Sequence, residues 1–156
     1  MMNSRKSTLL LAVSWVILTL NVHAEEKRLK KSDLPLPVQK TADGQSKGAT
    51  VKGYSKEVEH GKLQYEVELI IDGRGRDMTI APDGRVLEVE EALDFGDLPV
   101  AVREGLQSKA AGAKIVKVES IVKNGKLVAY EAQVYSRNKR SEIQVGPNGK
   151  PLDHEE

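Results

Sequence analysis

Catalysis or metal binding needs His, Cys, Ser, Asp or Glu in workable geometry, and those residues set the first limits on this chain. It has no cysteine, so thiol chemistry and a disulfide framework are both unavailable. Of its three histidines, His23 lies in an apolar leader, His60 precedes a glycine in a turn, and His154 sits in a short acidic tail. Neither His60 nor His154 has a second ligand on the same predicted element, so no metal site and no cofactor are expected. Asp72, Asp77 and Asp83 are scattered without the spacing of a calcium loop. Gly73-Arg74-Gly75-Arg76 has the glycines of a phosphate loop, but a strand pattern follows where a helix N-terminus is required, so it reads as a hairpin turn. There is no Gly-x-Ser-x-Gly elbow and no serine with a plausible histidine partner. The last candidates are carboxylates. Glu66 and Glu68 share a strand face, and Glu131 recurs in an equivalent setting; a glycosidase pair would need two such groups about 5–10 Å apart in a cleft. The flanking Gln64, Thr79, Gln133 and Gln144 give instead the pattern of an ordinary solvated face. The chain is expected not to be an enzyme.

The elements that carry these residues are written twice. Leu34-Pro35, Val38, Gly48-Ala49 and Gly61-Lys62-Leu63 return 64 positions later (98 − 34) as Leu98-Pro99, Val102, Gly112-Ala113 and Gly125-Lys126-Leu127. After one inserted residue, Tyr65-Glu66 matches Tyr130-Glu131 and Pro82-Asp83-Gly84 matches Pro147-Asn148-Gly149. Such a register implies one duplicated supersecondary unit. Each unit opens with Asp-Leu-Pro, where Asp33 or Asp97 suits a helix N-cap and proline fits the first turn. Val38 and Ala42 form the stripe of a first helix, roughly 37–45; Leu98, Val102, Leu106 and Ala110 form that of a second, ended by Gly112. Phe95 is expected to pack back on the second helix as a staple.

The period then changes to two. First strands are predicted over 50–59 and 114–122, closed by His60-Gly61 and Asn124-Gly125, which suit two-residue hairpin turns. Second strands place Tyr65, Val67, Leu69 and Ile71, and Tyr130, Ala132 and Val134, on one face. Third strands span 76–81 and 139–146; a fourth, 86–90, is clear in the first unit and shrinks to Pro151-Leu152 in the second. Clean alternation argues for an antiparallel sheet with one buried face. The expected fold is α+β: two tandem helix-plus-antiparallel-β-meander repeats forming one sheet with helices on one face. Tyr65 and Tyr130 should be buried, and Glu66 and Glu131 exposed on the opposite side.

The ends set the compartment. Residues 1–24 read as a signal peptide: basic Arg5-Lys6, an apolar run from Leu9 to Leu20, and Val22-His23-Ala24 before the cut. The run is short for a membrane span, so no membrane anchor should remain after cleavage. Residues 25–32 read as a charged, flexible lead-in, 33–152 as the domain (repeat one 33–90, repeat two 97–152), and 153–156 as a tail. With 24 basic and 23 acidic residues interleaved, the chain lacks the basic face that nucleic acid requires.

The Leu-Pro openings, the Gly-Ala before each first strand, the paired Tyr-Glu steps and the Asp83-Gly84 turn resemble the PepSY-like family, also described as beta-lactamase-inhibitor-like, over about residues 33–152. The resemblance implies tandem helix-plus-meander units in an exported bacterial protein with no catalytic residues, and inhibition of peptidases or other envelope enzymes is proposed for related domains. The expectation is a periplasmic or secreted, non-catalytic, inhibitor-like binding module that docks an envelope protein or peptide on its open sheet face. Gln64, Glu66, Glu68, Glu131, Gln133 and Tyr135 are the expected contact residues, with Tyr135 the aromatic anchor. The alternative is a periplasmic sensor of a small ligand or metal ion.

Overall fold

The computed structural model describes residues 27–154 and 156; the leader expected over 1–24 lies outside them. The strands are β1 (Lys27–Leu29), β2 (Thr50–Glu59), β3 (Lys62–Ile71), β4 (Arg74–Ile80), β5 (Val86–Leu93), β6 (Lys114–Lys123), β7 (Lys126–Ser136) and β8 (Lys139–Val145). Helix α1 (Leu36–Gln45) follows a 3-10 turn at Lys31–Asp33, and α2 (Val100–Ala110) follows another at Phe95–Asp97. All eight strands form one antiparallel sheet in sequence order, so the α+β class and the single sheet are as expected.

Tight turns make this order possible. His60-Gly61, Asp72-Gly73 and Asn124-Gly125 all have positive φ at both positions, the type I′ geometry whose twist matches that of the strands it joins. Arg137 and Asn138 turn the same way with no glycine at all.

Both helices lie on one side. Val38 and Ala42 of α1 are buried with Tyr65, Val67, Leu69, Met78 and Ile80. Val102, Leu106 and Ala110 of α2 are buried with Val118, Ala132, Val134 and Val145. Met78 pairs with Val89, and Val89 with Val122 four residues along β6 from Val118, so strand alternation puts both cores on the same face. Each helix is also clamped by a glycine turn. Thr41 donates to the Gly84 carbonyl at 2.6 Å, and a Cβ on Gly84 would lie 2.8 Å from the Pro37 carbonyl. On α2, Gly105 leaves room for the Gly149 backbone, and a Cβ on either glycine would overlap the opposing main chain.

Three expectations need correction. Lys27–Leu29, read as part of the lead-in over 25–32, is an edge strand whose backbone pairs with Tyr54–Lys56 and whose Leu29 packs on the first core. Charge density did not prevent pairing because β2 offers an open row of backbone partners. Asp33 and Asp97 end the 3-10 turns instead of capping the helices, and Pro35 and Pro99 hold the N-cap positions. Asp33 accepts from the Lys30 amide at 3.0 Å. At the other end Glu156, read as part of a loose tail, donates its amide to Gln144 Oε1 at 2.8 Å.

Candidate functional site

The sheet face opposite the helices carries a dense cluster of carboxylates, and it is concave. Ser55, Gln64, Ile121, Ala129, Glu119 and Gln144 point to that face, yet they are at most 7% exposed with no helix over them. Twist accumulated over the strands, sharpened by bulges in β2 between Val51 and Gly53 and in β6 between Ile115 and Lys117, curls the sheet about its polar side. The result is a cavity of about 470 Å³ lined from β2 to β8 and by Glu156. Ten carboxylates face it, from Glu57 and Glu59 on β2 to Glu142 on β8, against only Lys117 and Lys123.

At its centre Asp77 of β4, Glu90 of β5 and Glu119 of β6 bring carboxylate oxygens within 4.8 Å of one another. Burial, reinforced by the charges of Glu119, Glu88 and Glu131, pushes the Glu90 carboxyl up to about 8. Burial also raises Asp77, Glu88 and Glu131 above the ordinary carboxylate range. Lys117 partly relieves this crowd: its ammonium lies 2.6 Å from Glu119 Oε1. Burial alone would lower Lys117, but the bond to Glu119 and the charges of Asp77 and Glu90 leave it raised. Lys123 sits 3.6 Å from Glu88 and 3.9 Å from Glu156. The carboxylates that remain unmatched give the face a negative field, and low-dielectric walls concentrate it.

The expected contact residues divide. Gln64, Glu66, Glu131 and Gln133 all line the cavity. Gln64 is 7% exposed and donates to Glu57 at 3.0 Å and Glu59 at 2.7 Å. Glu66 accepts from Ser55 at 3.2 Å, and Glu131 from Gln144 at 2.9 Å. Glu66 and Glu131 were expected to be exposed; both are half-buried, because curvature turns their face inward. Strands β4, β5 and β6 stand between them, so they do not form a carboxylate pair. Glu68 lies outside the cavity lining, ion-paired with Arg28, which fills the space left by the missing side chain of Gly53. Tyr135 lies beyond it too, 41% exposed, its hydroxyl bonded to Asn138 at 3.2 Å.

Sequence reading missed Asp77, Glu88, Glu90, Lys117 and Glu119 as members of one site. A signal existed in the alternation of β5, where Glu88 and Glu90 share the side away from Val89. What alternation does not convey is that three different strands converge.

No family model matches the chain, and no curated protein matches it. Among solved structures it is similar to a candidate periplasmic protein of Bacteroides eggerthii, with a TM-score of 0.63 at 16% identity over 76% of this chain and 86% of that one. It is similar to a DUF2874 family protein of Bacteroides ovatus, with a TM-score of 0.61 at 18% identity over 77% and 85%. A BLIP-like protein of Bacteroides fragilis gives a TM-score of 0.57 at 19% identity over 76% and 83%. These likenesses define the class of fold: a BLIP-like sheet with helices on one side.

Proposed function

We propose that this chain is an exported, non-catalytic periplasmic module, built from two duplicated units, that binds a cationic segment of an envelope protein or peptide on its concave face. The observation that carries the proposal is the concentration of ten carboxylates against two lysines on one curled face. An isolated acidic surface is common, but a concave one with raised carboxyl pKa values holds charge at a cost that a cationic ligand relieves. The leader-like sequence of residues 1–24 supports export, as does the fold shared with a protein described as periplasmic. The inhibitor-like character of the reading draws on the fold shared with a BLIP-like protein.

The test is fluorescence anisotropy with a labelled oligolysine peptide and an oligoglutamate control. The lysine peptide should bind at low salt, weaken steeply as salt rises, and weaken again when Glu90→Gln and Glu119→Gln are combined. Equal binding of both peptides, or affinity indifferent to salt, would overturn it.

A second reading is favoured by the Asp77–Glu90–Glu119 cluster. Oxygens within 4.8 Å suit a calcium-sized ion, whose ligands sit at about 2.3–2.6 Å. The candidate ligands come from three neighbouring strands, β4, β5 and β6. Calorimetry with calcium decides it: heat abolished by Asp77→Asn supports an ion site, and no heat at millimolar calcium removes it.

A further inference from the structure

The two halves fill the helix side of the sheet unequally. In the first, Leu29 and Tyr54 pair across β1 and β2, and both pack on the core under α1. The residues 64 positions on, Leu93 and Val118, pair the same way across β5 and β6. There the ring of Tyr54 is replaced by the small side chain of Val118, which is 3% exposed. A cleft of about 680 Å³ opens beside it, walled by Leu93, Phe95, Ala110, Ala113, Ile115 and Val118. That volume lies within the roughly 300–1,000 Å³ of ligand pockets.

The first half indicates what belongs in such a space. Tyr54 lies near enough to Lys31 to act on it electrostatically, and Lys31 is ion-paired with Asp43 of α1. In the second half the matching positions are Phe95 and Gln107, so the ion pair becomes an apolar ring and a neutral amide. Gln107 lines the cleft, and no hydrogen bond of its side chain occurs among the described residues. We infer that the cleft between α2 and β6 binds a phenol-like aromatic group, with the ring over Val118 beside Phe95 and the hydroxyl toward Gln107. The ligand supplies the ring that Tyr54 supplies in the other half. This site is on the opposite side of the sheet from the acidic face and stands independently of it.

Amide NMR of the full exported chain tests it, with p-cresol as one probe and N-acetyltyrosinamide as the other. Saturable shifts at Gln107, Ala113 and Val118 are expected, with a Kd on the order of 1 mM or tighter. Val118→Tyr should abolish them by filling the cleft from within. Ala110→Leu, which narrows it from the helix side, serves if Val118→Tyr does not fold. Shifts with both probes mean that the ring can arrive on a polypeptide; shifts with p-cresol alone mean a free small phenol. No shifts with either probe, or shifts that survive whichever filling variant folds, overturn the inference.

Discussion

Glu90 shows how a single side chain records the character of the concave face. Its carboxyl is raised to about 8 by burial and by the surrounding acids, whereas in the unfolded chain it titrates near the ordinary 4.5. A carboxyl raised in the folded state contributes its full share of stability below pH 4.5 and loses it as pH climbs through 8. Between those limits the folded protein should lose about 1–3 kcal/mol, once solvent screening of a half-buried group is allowed for. Glu90→Gln keeps the shape and removes the charge. It should therefore raise the melting temperature at pH 8 and leave it nearly unchanged at pH 4.5. Thermal melts at the two pH values check this, and an equal shift at both would mean that packing, not charge, governs the position. Tyr135 is the opposite kind of residue, an exposed ring on the same face but outside the cavity. If it anchors a partner, Tyr135→Ala should weaken peptide binding by at least about tenfold, roughly 1.4 kcal/mol, with no change in melting temperature.

At the scale of the elements, the glycine turns that clamp the helices separate two kinds of constraint. Gly61 and Gly149 have the same φ of 76°, but a Cβ on Gly61 meets nothing within 4 Å, whereas one on Gly149 overlaps the Ala101 carbonyl in α2. Gly61→Ala should cost only the left-handed strain of a side chain, about 1–2 kcal/mol. Gly149→Ala adds displacement of a helix backbone and should cost about 2–4 kcal/mol. Chemical denaturation of the two variants measures the difference. The turn glycines also show what is legible without coordinates. His60-Gly61 and Asn124-Gly125 announce their hairpins because a two-residue type I′ turn needs positive φ twice, and Asn-Gly supplies it readily. Arg137-Asn138 makes the same turn with residues that do not advertise it, held by the flanking pairing of Ser136 with Lys139. Val38, Val102 and Leu106 were legible as core because a helix repeats its buried face every three or four residues. Lys27–Leu29 was not, because an edge strand is made by its neighbour's open backbone and not by its own side chains.

The whole molecule adds a property that no residue or strand carries alone. Alternation assigned Glu66 and Glu131 to the polar face, but curvature is collective, summed from twist and bulges along the sheet, so their half-burial could not be read from spacing. The same curvature draws Asp77, Glu90 and Glu119 together from three strands, and burial there raises the cost of Asp77 and Glu90 as anions. Binding and protonation must therefore be linked. A cation entering the face favours the ionised carboxylates, so it lowers the Glu90 pKa and releases the proton that burial retains. Oligolysine affinity should accordingly rise with pH from 4.5 to 8 and level off above. Calorimetry at pH 7 in two buffers of different ionisation heat should give different binding enthalpies, from which net proton release follows. Glu90→Gln should reduce that release, whereas Tyr135→Ala should not alter it, since the exposed ring lies outside the cavity that the crowded carboxylates line. A binding enthalpy independent of buffer, or proton uptake in place of release, would mean that the cation docks away from the concave face.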